Sequence, residues 1–269
     1  MSAAQPVLPA YSMNRPSFPR LYERSLVEPL FQPWAELLIE RADLAPTMRV
    51  IDVACGTGIV ARLAYRRGVA SVVGVDVSAP MLEVAREIEP GVDWREGDAA
   101  ALPVGAEEQF ERVFCQQGLQ FFADRQAAAA ELRRITAAGG RLLAAVWRAA
   151  EEMPVFEALQ RAAERHVGPV DDQRYAFGEA EALERLLSGA GFAEVRVEQA
   201  SLVARFTDGA EFVRMNAMAL IGMSSARIAE EERERLVEVV ATDGLSAVRP
   251  FLDGETLVCE LRSNVAVAR

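Results

Sequence analysis

The stretch that most constrains this chain is Val50 to Gly58, which reads V-I-D-V-A-C-G-T-G. Met48 to Val53 is apolar and β-branched enough for a buried parallel strand, and it gives way at once to the small residues Ala54, Gly56 and Gly58. Beyond them Ile59, Val60, Leu63 and Ala64 recur at helical spacing, with Arg66 and Arg67 in the last turn and Gly68 as a stop. Strand, glycine turn and helix in that order let the backbone approach a ligand closely and aim unpaired N–H groups at it. Gly56, Gly58 and Ala61 also satisfy G-x-G-x-x-G/A, so the glycines alone do not separate a dinucleotide site from other adenosine-containing cofactors.

The neighbouring segments narrow the choice. The next strand, Ser71 to Val75, ends on Asp76, with Ser78 placed as an N-cap and Pro80 in the first turn of a helix. An acid at the tip of the second strand is where a ribose diol is held. With Asp52 ahead of A-C-G-T-G, G-V-D-V-S leading into Met81 and Leu82, and Gly97-Asp98-Ala99 further on, the chain resembles the class I S-adenosylmethionine-dependent methyltransferases of small-molecule type. Phe110 to Phe122 resembles their fourth-strand segment and Arg134 to Trp147 the helix end and fifth strand. The similarity is clear over about residues 45 to 148. One departure is Ala138-Gly139-Gly140, where Pro-Gly-Gly is common; that turn is distant from the cofactor.

The resemblance implies an α/β fold, a Rossmann-like doubly wound sheet of seven strands, mostly parallel with the last antiparallel and inserted beside strand five. It implies one methyltransferase domain over residues 1–269, with 45–148 as cofactor core and 1–44 and about 205–250 as a helical lid. Asp52 and the backbone of Ala54, Gly56 and Gly58 would hold the methionine part of S-adenosyl-L-methionine, and Asp76 the ribose. Val77 and Met81 would flank the adenine, Asp98 and Ala99 would bond to it, and Gln116 would lie near the sulfonium. S-adenosyl-L-homocysteine would be the product.

Elementary electrostatics agrees. A dinucleotide needs pyrophosphate on the helix N-terminus, and Asp52, just before the loop, would repel it; a cofactor bearing an ammonium and a sulfonium welcomes the same carboxylate. NAD(P)-dependent oxidation remains the competing use of the motif. A non-catalytic or repurposed member of the fold is a third reading, although Asp76 and Asp98 are both retained.

The chain has 269 residues, is 51% hydrophobic and carries a net charge of −11 with basic residues scattered among acids. Proteins that grip phosphate backbones gather Lys and Arg into patches, so a nucleic-acid substrate is disfavoured and a small-molecule acceptor expected. Cys55, Cys115 and Cys259 form no CxxC pair, which suits a reducing compartment. With no long apolar run and no basic-then-apolar start, a soluble cytoplasmic protein is expected, with no membrane partner.

Outside the core the signals are weaker. Prolines at 6, 9, 16 and 19 point to a mobile outer N-terminus, and Leu21 to Leu44 is amphipathic with interruptions at Pro29 and Pro33. Tyr22 and Phe31 are placed either over the cofactor or, with Trp34, at the sheet edge. Helices are expected near Met153–His166, Glu181–Leu187 and Ile228–Val240, a half-exposed strand at Val195 and Val197, and a closing strand from Leu257 to Val267. Asp208 with Glu211 reads as a capping box.

Methyl transfer needs mainly alignment and exclusion of water, so an apolar pocket suffices. Its candidate lining is Tyr22, Phe31, Gln117, Phe121, Trp147, Met153, Met215 and Met218, about half of them expected in ordinary core. A catalytic residue is not evident: His166, the only histidine, sits at a helix end where a surface cation is commonplace. No carboxylate or histidine cluster has metal-ligand spacing, and no metal is expected. Whether O, N or C is methylated cannot be read.

Overall fold

The computed structural model describes residues 17–224 and 228–269. The N-terminal prolines up to Pro16 fall outside the described residues. The chain then runs as one helical rod: α1 (Phe18–Tyr22), a π-helical stretch (Glu23–Phe31) and α2 (Gln32–Ala42). The interruption expected at Pro29 does not occur, and Pro33 takes the first-turn position that its place in the pattern predicts. Pro33 lies in the first turn of α2, where a missing N–H costs nothing, and Pro29 lies inside the wider π turns. Buried Arg112 closes the rod by donating to the carbonyls of Ala42 and Asp43, two groups a helix C-terminus leaves unpaired.

Strands and helices then alternate: β1 (Arg49–Val53), α3 (Ile59–Arg66), β2 (Ser71–Asp76), α4 (Ala79–Ile88), β3 (Asp93–Glu96), β4 (Phe110–Gln116), α5 (Arg125–Ile135) and β5 (Thr136–Trp147). After them come α6 (Pro154–Val167), α7 (Ala180–Gly189), β6 (Val195–Phe206), α8 (Gly209–Met223), α9 (Glu230–Ala247), the two-residue β7 (Leu252–Asp253) and β8 (Thr256–Ala268). The sheet order is β3-β2-β1-β4-β5-β8-β6, with β7 off the path on β8. The first five strands pair in parallel, and β8 runs antiparallel between β5 and β6. This is the expected seven-strand sheet with one short addition.

Side-chain alternation divides the core into two layers. Val50, Phe114 and Leu143 face one layer with Trp34, Leu38, Val60 and Leu82; Ile51, Val113 and Leu142 face the other with Leu132, Leu183 and Leu187. Asp52 shares the parity of Val50, so it points to the α3 side. The half-exposed β6 and the Asp208 cap, whose Oδ1 accepts from Glu211 N at 2.8 Å, are as the sequence reads. At the Ala138 turn, Gly139 has φ +74° and Ala138 is exposed, so the missing proline disturbs nothing buried. Among the described residues no helix is long and apolar enough to cross a membrane.

Gly58 has a structural duty that spacing cannot reveal. Its φ is +87°, and a Cβ built there would lie 2.1 Å from the Trp94 ring, which also covers Gly74. The indole packs in the gap between α3 and the sheet, with its Nε1 donating to Glu89 O at 2.9 Å. Gly58→Ala is expected to lower stability by about 2 kcal/mol through overpacking and left-handed strain. Gly68→Ala, at φ +72° with nothing within 4 Å, is expected to cost about half as much, in paired thermal melts.

Candidate cofactor and acceptor site

The loops after β1, β2 and β4 meet at the carboxyl edge of the sheet, where open α/β sheets bind ligands. Ala54 and Gln117 adopt left-handed backbone at φ 58° and 53°, and Gly56 at φ 56°. A Cβ on Gly118 would lie 2.7 Å from the Ala54 Cβ, so this glycine lets the β4 loop close onto the β1 loop. Non-glycine residues held in that region store strain of roughly 1–3 kcal/mol each and concentrate at functional sites.

Asp76 organises the glycine loop. Its Oδ2 accepts from Gly56 N at 2.7 Å and its Oδ1 from Ser78 N at 2.8 Å. Ser78 therefore starts α4 with its main chain, and its side chain makes no capping bond. Burial pushes the Asp76 carboxyl upward, and the N–H groups of Ser78, Gly56 and Val77 partly offset this. Free lone pairs remain at the strand tip. Asp52 is 1% exposed, and its Oδ2 accepts from a single partner among the described residues, Ala61 N at 3.0 Å. Burial pushes its pKa up to about 8, against the pull of that N–H, and Asp76 adds to the rise.

These carboxylates frame a cavity of ≈ 280 Å³. Asp52, Ala54, Gly56, Asp76, Val77, Met81, Asp98, Ala99 and Gln116 all line it. So do Tyr22, Phe31, Gln117, Phe121, Trp147, Met153 and Met215. Gly58 and Met218 do not: Gly58 is covered by Trp94, and Met218 is buried in the core. Asp98 uses Oδ1 to accept from Ala100 N at 2.8 Å.

The N-terminal rod forms one wall. Tyr22 and Phe31 stack with ring centroids 5.0 Å apart, and Phe31 lies 6.5 Å from Trp147, while Trp34 meets Trp147 edge-on from the core. Beside the cavity the rod is held by Arg62 to Glu23 at 2.9 and 3.1 Å, Arg24 to Glu211 at 2.8 Å, and Gln116 Nε2 to Phe31 O at 3.0 Å, among other contacts. Gln116 Oε1 is buried without a partner among the described residues. Burial, with Asp76 and the other acids adding, pushes the Tyr22 phenol upward, so it stays protonated.

The opposite wall carries residues that the sequence did not single out: Phe156 of α6, Arg174 and Tyr175 of the following turn, and Phe212, Asn216, Ala219 and Met223 of α8. A polar Asn216 on the apolar stripe of Phe212, Met215 and Ala219 was the available signal. His166 lies outside the cavity, its Nε2 2.9 Å from Asp243 Oδ2. The Cys55 thiol lines the cavity, and burial raises it well above its ordinary range, which keeps it a neutral small residue.

The residues present fit an adenosyl cofactor with a cationic end and fit a dinucleotide poorly. Ala61 N, an N–H at the start of α3 that a pyrophosphate would need, is already committed to Asp52, and two buried carboxylates stand beside that seat. A ligand ammonium would supply what Asp52 lacks, a second strong partner for a fully buried carboxylate.

Comparison with known proteins agrees. Residues 51–144 match the family model described as a methyltransferase domain. The chain is 37% identical over 112 residues to demethylmenaquinone methyltransferase of Renibacterium salmoninarum, a stretch covering 42% of this chain and 46% of that one. The match thus spans about half the length of that relative. Among solved structures, Haemonchus contortus phosphoethanolamine N-methyltransferase 2, in complex with phosphomonomethylethanolamine and S-adenosylhomocysteine, superposes with TM-score 0.60 at 18% identity, over 97% of this chain and 58% of that one. The [4+2]-cyclase SpnF superposes with TM-score 0.52 at 21% identity, over 86% and 80%. Likeness at such identities concerns the fold, and the cyclase illustrates that one fold hosts different reactions. Residues 51–144 are thus similar to a methyltransferase domain, and the sheet built on them has the fold of solved methyltransferases.

Proposed function

We propose that the protein transfers a methyl group from S-adenosylmethionine to oxygen, nitrogen or carbon of a small molecule. The observation that carries this reading is Asp52, buried with a single backbone partner at the floor of the cavity, beside a ribose-type acid on Asp76. When bound, the cofactor supplies an activated methyl group on a sulfonium.

The chain's own residues do the rest. Asp52, with the main chain of Ala54 and Gly56, holds the amino-acid end. Asp76 takes the ribose hydroxyls, Val77 and Met81 flank the adenine, and Asp98 and Ala99 bond to its edge. Gln116, pinned to Phe31 O, lines the site at the tip of β4, near the sulfonium. Gly58 supports the loop from outside through Trp94.

Tyr22 and Phe31 on one side and Phe156, Phe212 and Met215 on the other exclude water and orient the acceptor. Alignment of this kind can supply about 7–11 kcal/mol of the barrier, so no base is required by the reading. A net charge of −11 disfavours a nucleic-acid acceptor, and three unpaired buried cysteines accord with action in the cytoplasm.

The test is production of S-adenosylhomocysteine from methyl-labelled S-adenosylmethionine with a panel of phenols, amines and activated carbon acids. Acceptor-dependent labelling is expected with at least one class. Tight cofactor binding with no transfer to any class would favour a repurposed site.

A further inference from the structure

Most polar groups in the cavity are accounted for. Gln117 donates to Ser263 Oγ at 3.0 Å and accepts from Gln120 Nε2 at 3.2 Å, so its amide is occupied. Gln116 is tied to the N-terminal rod and sits at the tip of β4, on the cofactor side. Asn216 shares the unpartnered oxygen of Gln116 among the described residues but lies on α8, on the wall away from the strand tips. It is 6% exposed, lines the cavity from α8, and its Oδ1 is buried with no partner among the described residues. A buried amide without a partner is costly, and a native chain that retains one inside an apolar stripe has a use for it.

Its surroundings define that use. One turn before Asn216, Phe212 packs edge-on against Phe156 at 5.8 Å, and the Arg174 guanidinium lies 5.8 Å from the Phe156 ring and 5.5 Å from Tyr175. Arg174 Nε binds both oxygens of Asp172, at 2.8 and 3.0 Å, and Nη2 binds the same carboxylate. The pair is therefore neutral overall. Nη1 makes no hydrogen bond among the described residues, and Arg174 lines the cavity. The remaining charged residues of the lining, Asp52, Asp76 and Asp98, are all acidic. An anionic acceptor would face acidic residues and a single lining cation, Arg174, already paired with Asp172, and a fully apolar one would leave Asn216 unpaired.

We infer that Asn216, on the wall that also carries Arg174, is the polar anchor of the methyl acceptor, and that the acceptor is an uncharged, mainly apolar molecule bearing a hydroxyl or carbonyl group. The inference rests on the methyltransferase reading and names the substrate class and the specificity residue of that same site.

The test is calorimetric titration of the full chain with 1-naphthol, naphthalene and 1-naphthoate, each with saturating S-adenosylhomocysteine, for wild type, Asn216→Leu and Asn216→Ser. Wild type is expected to bind 1-naphthol about tenfold more tightly than either of the others. Asn216→Leu should lose about tenfold for 1-naphthol and less than about twofold for naphthalene, with S-adenosylhomocysteine affinity unchanged as the sign of an intact fold. Asn216→Ser, which keeps a small polar group, should fall between.

Equal 1-naphthol affinity in wild type and both variants, preference for 1-naphthoate, or no binding of 1-naphthol to wild type would overturn the proposal while leaving the methyltransferase reading intact. Failure of wild type to bind S-adenosylhomocysteine would overturn that reading, and this proposal with it.

Discussion

Asp52→Asn is expected to weaken S-adenosylhomocysteine binding by about 3–4 kcal/mol, or ~10²–10³-fold, because it removes the charge that a buried ligand ammonium needs. Asparagine can still accept from Ala61 N, so the start of α3 should survive. The effect has a pH signature. With its pKa near 8 in the free protein, Asp52 must lose a proton before it can pair with a cation. Wild-type affinity should therefore rise by up to about tenfold per pH unit between pH 6 and 8, level off above 8, and be accompanied by proton release. In Asp52→Asn that slope should vanish.

Stability runs the other way. A folded pKa above the unfolded value of about 3.9 means that the stabilising effect of the protonated form is complete below ~pH 4 and is lost as pH rises through about 8. The ligand-free Asp52→Asn variant should thus be more stable than wild type at pH 8, by roughly 1–3 kcal/mol, and similar to it near pH 4. A wild type whose affinity is flat between pH 6 and 8 would show that Asp52 is already ionised or does not meet the ligand's cation.

Asp76→Ala is the second large effect. It removes the ribose partner and also frees the N–H groups of Gly56 and Ser78, which fix the glycine loop and the start of α4. Hydrogen bonds to a charged acceptor contribute ~1.5–3 kcal/mol each to binding, and loss of loop order adds to this, so cofactor affinity should fall by about 2–4 kcal/mol. Removing a buried carboxylate whose ionised form is disfavoured offsets part of the cost to the fold, so the melting temperature should move less than affinity does. Asp76→Asn, which keeps one acceptor, should be intermediate. Unchanged affinity in Asp76→Ala would mean that the second strand's acid does not hold the ribose.

How far the sequence led differs between the two halves of the molecule. Asp52, Gly56, Asp76 and Asp98 were readable because each stands at a strand tip within a short motif whose local geometry fixes where the side chain goes. Gly58 belongs to the same motif, yet its neighbour is Trp94, from a strand three elements later, and no spacing rule connects the two. The rod at Glu23–Phe31 was misread as broken because proline rules describe α-helices, and the chain there adopts π turns.

The acceptor half was the least legible. Asn216 and Arg174 lie in segments without a motif, and they reach one wall only through the edge-on contact of Phe156 with Phe212 and the cation–π contact of Arg174 with Phe156. Met215 lines the cavity, and Met218, at helical spacing from it on the same helix, packs into the core. Periodicity marks an apolar face; it does not say which part of that face meets a cavity and which meets another helix.

The most direct test of the central claim is calorimetric titration of the purified protein with S-adenosylhomocysteine and, separately, NADH and NADPH, in buffers of different ionisation enthalpy at pH 7. The expected result is binding of S-adenosylhomocysteine alone, with proton release that disappears in Asp52→Asn. Binding of a nicotinamide dinucleotide and not of S-adenosylhomocysteine would contradict the account, and the start of α3 would have to be a pyrophosphate seat after all.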